Sequence, residues 1–303
     1  MMNLRKSCLP PGWYPQNSQK IKEFLGNTFP VNSGEAESRD SPHKNKEFRT
    51  IGAVAPHAGW YYSGHLAARS VRALAACPKK PETIVVLGGH LPPPIALFAL
   101  EDAVSTPIGV LEIDVNFRDE LIKNLKHEGI KTAEDRYADN TVEVLLPMVH
   151  FYFPEIKIVW IRLPGDIRSY DTGKIIAETA SLLNKNIVVL GSTDLTHYGP
   201  NYGFTNKGYG EEALFWVKNT NDKRFIEAVE KGDPALVLKR AEEENSSCSA
   251  GAVLGVMGYA AELRDGNGAG KLLACGTRAD SATALGEPVP NSFVGYGSFV
   301  WEE

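Results

Sequence analysis

Three short apolar runs limit what this chain can fold into: residues 51–55 (Ile-Gly-Ala-Val-Ala), 83–87 (Thr-Ile-Val-Val-Leu) and 186–191 (Asn-Ile-Val-Val-Leu-Gly). Each is too short for a helix and uninterrupted rather than alternating, the pattern of strands buried on both faces of a largely parallel sheet. Pro56 ends the first run, because proline cannot donate to a ladder. Amphipathic or apolar helical stretches separate the runs, at 64–75 with Ser63 as N-cap, 116–127, 172–183, 211–218, 223–230, 234–243 and 250–264. A helical stretch at 142–151 is interrupted by Pro147, and Asn17 caps a short helix running to Phe24. Further strands are expected within 95–104 and at 156–161, 272–275 and 293–300. Alternation of this kind predicts a single α/β domain over 1–303, with a mostly parallel or mixed central sheet flanked by helices. The polar residues 33–48, which include His43, read as a solvated loop, and so do residues 276–290.

Charge and cysteine usage narrow the function. A net charge of −5 over 303 residues implies no basic face, so neither nucleic acid nor an anionic membrane is an expected partner. No run is long enough to span a bilayer. Arg5 and Lys6 are followed at once by Pro10 and Pro11 rather than by the apolar core of a signal peptide. Cys8, Cys77, Cys248 and Cys275 lie far apart, with no Cys-x-x-Cys pair, which suits a reduced, cytoplasmic protein.

Chemistry gathers where the apolar runs stop. His57 follows the first, His90 follows the second after Gly88-Gly89, and Asp194 and His197 follow the third. In an open α/β sheet these carboxyl ends share one edge, where ligands bind. A histidine just past a strand is more often a hydrogen-bonding residue than a ligand. Three of the seven histidines in that position nevertheless point to a metal or acid/base site. Two neutral imidazoles need an anionic third ligand. Asp280 would complete the facial triad that suits Fe(II), whereas Cys248, ahead of a helix, would favour softer ions such as copper; zinc accepts either set. His197 is placed to move a proton, and Asp194 to fix its tautomer. Trp60, Tyr61 and Tyr62 could wall the site with aromatic surface. There is no phosphate loop, dinucleotide fingerprint, nucleophile elbow or His-Glu-x-x-His motif, so a metal-free hydrolase using Ser192 or Thr193 with His197 ranks last.

Four ordered segments carry a resemblance: Pro56-His-Ala-Gly-Trp-Tyr-Tyr-Ser-Gly64, Leu87-Gly-Gly-His90, Asp139-Asn-Thr-Val-Glu-Val-Leu-Leu-Pro147 and Ser192-Thr-Asp-Leu-Thr-His-Tyr-Gly199. With the opening Gly12-Trp-Tyr-Pro15, they resemble the MEMO family, whose prokaryotic members are called protein B of the AmmeMemoRadiSam system. The resemblance implies a fold related to class III extradiol ring-cleaving dioxygenases and a pocket for iron or copper. It implies His57 and His90 as metal ligands, Cys248 ahead of Asp280 as the third, and Asp194 and His197 as the acid/base pair. AMMECR-like and radical-SAM partners are implied too. The reading is then a metal-binding protein, a non-haem iron or copper redox enzyme; the alternative is a non-catalytic module that docks a peptide or protein in the same pocket. Asn140 and Leu145 stand where family members carry histidines, which weighs against ring cleavage more than against metal binding.

Overall fold

Each apolar run forms a strand, and the three lie side by side. A computed structural model describes residues 2–28, 49–284 and 286–303; the polar stretch 33–48, with His43, lies outside them. The strands in chain order are β1 (Leu4–Arg5), β2 (Thr50–Ala55), β3 (Thr83–Leu91), β4 (Ile95–Phe98), β5 (Ala103–Thr106), β6 (Gly109–Ile113), β7 (Lys131–Glu134), β8 (Lys157–Pro164), β9 (Ile187–Ser192), β10 (Asp194–Tyr198), β11 (Lys271–Thr277) and β12 (Phe293–Glu302). They build one mixed sheet in the order β1-β5-β6-β8-β3-β9-β2-β12-β10. β11 pairs with β12, and β4 bridges β7 and β8. The middle, β6-β8-β3-β9-β2, is parallel throughout. β12 then runs antiparallel to β2, β10 and β11. The expected single α/β domain with a mixed, helix-flanked sheet is what forms.

The period of two along a strand sorts the side chains onto two cores. Val85, Leu87, Val159, Ile161 and Val189 face one layer, with the helices Val115–His127, Arg168–Leu182 and Ala250–Leu263. Ile84, Val86, Ile158, Trp160, Val188 and Leu190 face the other, with Ser18–Thr28, Trp60–Ala75 and Leu146–Tyr152. Full burial of each such side chain contributes about 1.5–3 kcal/mol. The helix Ala250–Leu263 is buried from Ala250 to Ala261 because it is packed between the sheet and a second helix. At its start, a Cβ on Gly251 would fall 2.1 Å from the Pro164 carbonyl oxygen. Only glycine lets the helix press that closely on the end of β8, and this holds Cys248 over the strand ends.

Several boundaries differ from the sequence reading. The helix expected from residue 64 begins at Trp60, with Gly59 as its cap; Ser63 sits inside it and bonds the Ala58 carbonyl. Residues 194–198, for which no element is expected, form β10, because β12 offers an antiparallel partner. The 142–151 stretch splits into Asn140–Glu143 and Leu146–Tyr152, with Pro147 in the first turn of the second. Part of the 276–290 loop is the helix Arg278–Ala284. Among the described residues, no helix is long and apolar enough to cross a membrane.

Candidate metal centre

Because β3, β9 and β2 are parallel neighbours, their carboxyl ends open at one place. His57 lies two residues past β2, His90 near the end of β3, and Ser192 ends β9. Cys248 arrives from the opposite side, one residue ahead of Ser249, the cap of the helix Ala250–Leu263. Gly89 makes the meeting possible: a Cβ there would fall 2.7 Å from the Ser249 side chain. The chain then turns through a left-handed His90, with φ of 61°. A non-glycine residue in that region is strained, which is the kind of cost a functional position bears.

One donor atom from each of His57, His90 and Cys248 lies within 4.8 Å of the other two. The His57 Nε2 is 3.2 Å from the Cys248 Sγ, and the two imidazoles meet edge to face at 4.9 Å between ring centres. Around a tetrahedral ion bound at about 2.0–2.3 Å, donor atoms stand roughly 3.3–3.6 Å apart. The three residues therefore fit a cation after small side-chain rotations. Two imidazoles with a thiolate make a borderline-to-soft set, suited to copper, zinc or iron.

The next layer of contacts fixes the rings. The Ser192 hydroxyl donates to the Thr141 carbonyl oxygen, so its lone pair is left to accept from His57 Nδ1 at 2.8 Å. That leaves Nε2 as the atom facing the sulfur. The His57 backbone N–H donates to Asp194 at 2.8 Å, and the Asn140 amide donates to the His57 carbonyl at 3.0 Å. His90 Nδ1 lies 3.6 Å from Asp139, which also accepts from Arg162 at 3.0 Å. Arg162 in turn clasps the fully buried Asp135 through two nitrogens, at 2.7 and 2.8 Å. An imidazole braced by a carboxylate on its far nitrogen is the arrangement common behind metal-bound histidines.

Charge inside the pocket is mutually arranged. Burial opposes a thiolate at Cys248, but His57 and His90 outweigh it and hold the thiol well below its ordinary pKa. Burial likewise opposes charge on His57, and Cys248 and Asp194 raise it. His90 is pushed up to about 10 against burial, by Asp139 and Cys248. Asp194 is kept low despite complete burial, by His57 and His197.

His197 stands beside this group rather than in it. Its Nε2 is 3.9 Å from Asp194, and Tyr202 stacks on its ring at 4.9 Å and 20°. A cavity of about 370 Å³ lies against it, lined by His197, Tyr202, Phe204, Asn245, Ser247 and Cys248 among others. The alternative third ligand, Asp280, is not brought to the site: it bonds Lys218 at 2.7 Å and the Thr277 N–H at 2.6 Å. Ser192 and Thr193 do not pair with His197; they bond His57 and Ser247. The aromatic wall also divides. Trp60 is core, donating to the Val144 carbonyl; Tyr61 is exposed, and Tyr62 lies half-buried beneath Arg278. Asp139, Ser192 and Arg162 as supports were missed. The Asp-Asn-Thr segment was a signal that could have found Asp139, since a cap residue near a strand-end histidine is a natural brace.

Ser192→Ala is expected to weaken metal binding about 10–100-fold, the usual effect of losing a group behind a ligand, with the fold retained. Calorimetric titration with Zn²⁺ checks it; wild-type affinity in the variant would mean that Ser192 does not set the His57 ring.

Comparison with known proteins places the whole chain. A family model described as Memo-like protein matches residues 5–300. A MEMO1 family protein of Desulfurococcus amylolyticus is 30% identical over 294 residues, covering 93% of this chain and 94% of its own. One from Pyrococcus abyssi is 30% identical over 261 residues, 82% of this chain and 85% of the relative. A solved structure of an uncharacterized protein from Escherichia coli K12 covers 83% of this chain and 99% of its own at 15% identity and a TM-score of 0.49, a looser likeness that adds nothing to the match.

Proposed function

The chain belongs to the Memo family, and on that premise we propose that it is a metal-binding protein of dioxygenase-like fold, a redox enzyme that uses iron or copper. His57, His90 and Cys248 would hold the ion, with zinc as a further ion the set accepts. The observation that supports this most is the convergence of three donor atoms, from segments 33 and 158 residues apart in sequence, to within 4.8 Å. Bound iron or copper would supply one-electron chemistry and a Lewis-acidic centre.

The chain's own residues have separable tasks. Ser192 and Asp139 aim the two rings. Asp194 orients the His57 backbone and keeps a negative charge beside His197. His197, a third exposed, faces the cavity and is the group placed to take or return a proton. A substrate entering the cavity would meet His197, Tyr202 and Cys248 together. Action beside AMMECR-like and radical-SAM proteins belongs to the same proposal.

The test is anaerobic reconstitution with Fe(II), copper and Zn²⁺ separately, followed by metal analysis. Wild type should retain about one ion per chain. Cys248→Ser should retain less of the thiophilic ions, copper above all, because an alcohol is not ionised there and is a poor soft donor. Equal retention of every ion by both proteins would remove Cys248 from the site and end the proposal in this form.

A further inference from the structure

The register of β10 breaks between its two functional side chains. Asp194 faces Tyr296 and His197 faces Val294, so Leu195 and Thr196 together stand opposite the single residue Gly295. That is a bulge, one extra residue in the strand. In an unbroken strand, residues three apart point to opposite faces. Here the slip brings them together: Asp194 Oδ2 lies 3.9 Å from His197 Nε2 and, at the same distance, from His57 Nε2. Through the bulge, His197 shares a carboxylate oxygen with a residue of the centre.

The extra residue of a bulge is left out of the ladder and needs another partner. The Thr196 N–H donates at 3.1 Å to the carboxylate of Asp222, and the Thr196 hydroxyl donates to the same oxygen. The Asn221 amide donates to the Thr196 hydroxyl and to the Glu244 carbonyl, each at 2.9 Å. Asn221 and Asp222 are both buried, and the chain reaches them through a π turn, Val217–Asn221, ahead of the helix Asp222–Lys231. Such turns are rare and recur at functional sites. The facing glycine leaves the room: a Cβ on Gly295 would fall 2.2 Å from Asp222 Oδ2. Burial pushes the Asp222 carboxyl up to about 7, although Thr196, His197 and Lys218 oppose the rise. A regular strand backed by an apolar residue would avoid that cost. What it would lose is the place of His197.

We propose that Asp222 is a positioning residue for the acid/base pair: by accepting from both Thr196 donors it pins the bulge that turns His197 onto the Asp194 carboxylate and against Tyr202. Asn221 carries the same hold to residue 244, at the head of the segment that leads to Cys248. This role rests on the reading of His197 as the proton-moving group for its purpose, not for its geometry.

The stacking of His197 on Tyr202, at 4.9 Å between ring centres, supplies a readout that reports position rather than charge. In the full chain labelled at histidine and tyrosine, the nuclear Overhauser contact between the two rings is the one lost in His197→Gln and in Tyr202→Leu. Asp222→Ala should lose it too. Asp222→Asn keeps an acceptor of the same shape for Thr196 and should retain it. Thr196→Val, which keeps the volume and removes one of the two donors, should weaken it, and it decides the matter if Asp222→Ala does not fold. A carboxylate that merely supports the fold would lower the melting temperature of Asp222→Ala and leave the contact in place. An unchanged contact in the folded Asp222→Ala or Thr196→Val variant, or equal loss in Asp222→Asn and Asp222→Ala, overturns the role. Metal content is read on the same samples, with His57→Ala/His90→Ala alongside. Failure of the metal centre therefore shows as equal metal in that variant and wild type, and failure of Asp222 as an unmoved ring.

Discussion

His57→Ala combined with His90→Ala is expected to yield a folded chain that takes up no ion at this site. Two of the three converging donors are removed, and a lone thiolate binds a divalent ion too weakly to survive dialysis. The loss should be at least about a thousandfold, or ~4 kcal/mol. Stability should suffer less. The His57 backbone N–H still reaches Asp194, because that bond does not use the side chain. Truncating the buried His57 ring leaves a cavity and an unanswered Ser192, at about 2–4 kcal/mol. His90 is partly exposed and adds less. A domain with 5–15 kcal/mol in hand remains folded. A second readout follows from the same geometry. Cys248 is held low by the two imidazoles, so alkylation of its thiol, fast at low pH in wild type, should need higher pH in the double variant. Metal analysis and pH-dependent alkylation decide it: wild-type metal content, or an unmoved alkylation profile, would mean that these rings do not build the centre.

The centre was legible because its donors obey a local rule. His57 and His90 lie at the ends of apolar runs, and the parallel pairing of β2, β9 and β3 turned that shared position into proximity. Cys248 is different. No periodicity carries a residue 158 positions beyond His90 to the same spot; its place ahead of a helix made it one candidate beside Asp280, and the family resemblance put it first. The packing that puts it there, with Gly251 against Pro164 and Gly89 against Ser249, is a tertiary fact with no signature in a window of sequence. Asp194 and His197 do follow the third apolar strand, β9, but they sit within a further strand, β10, whose existence depends on a partner about a hundred residues later. Ser63 has the composition of a cap, but Gly59 starts the helix earlier, with the Trp60 N–H bonded to the Trp13 carbonyl. Propensity set the element and tertiary contact set its boundary. The braces of the second layer were hidden for a similar reason, since Arg162 lies inside an apolar strand and shows its role only once Asp135 and Asp139 are beside it.

That buried network makes the second large prediction. Asp135 is fully buried; besides Arg162, it accepts from the Trp160 indole at 2.9 Å and lies 3.8 Å from Arg5. Arg5 lies over the Trp160 ring at 4.4 Å and donates to the Asp135 carbonyl, so the first strand is fastened to the body through the same residue. Asp135→Ala would leave two guanidiniums short of countercharge in a nearly dry site, each 7% exposed or less. Breaking a buried pair from one side typically costs about 3–5 kcal/mol, which for a chain of this size lowers the melting temperature on the order of 10 °C. A melt within about 2 °C of wild type would show that the network does not hold the fold. Replacing both partners, as Asp135→Leu with Arg162→Met, should restore part of the stability, because the Arg162 charge is no longer stranded, while Arg5 and the Trp160 N–H still lose Asp135. It should not restore the centre. Arg162 also holds Asp139, and Asp139 braces His90. The double variant should therefore melt between Asp135→Ala and wild type and still bind Zn²⁺ about 10–100-fold more weakly than wild type. If stability and metal affinity return together, the link from Asp135 to His90 through Arg162 does not exist, and the network is scaffolding for β8 alone.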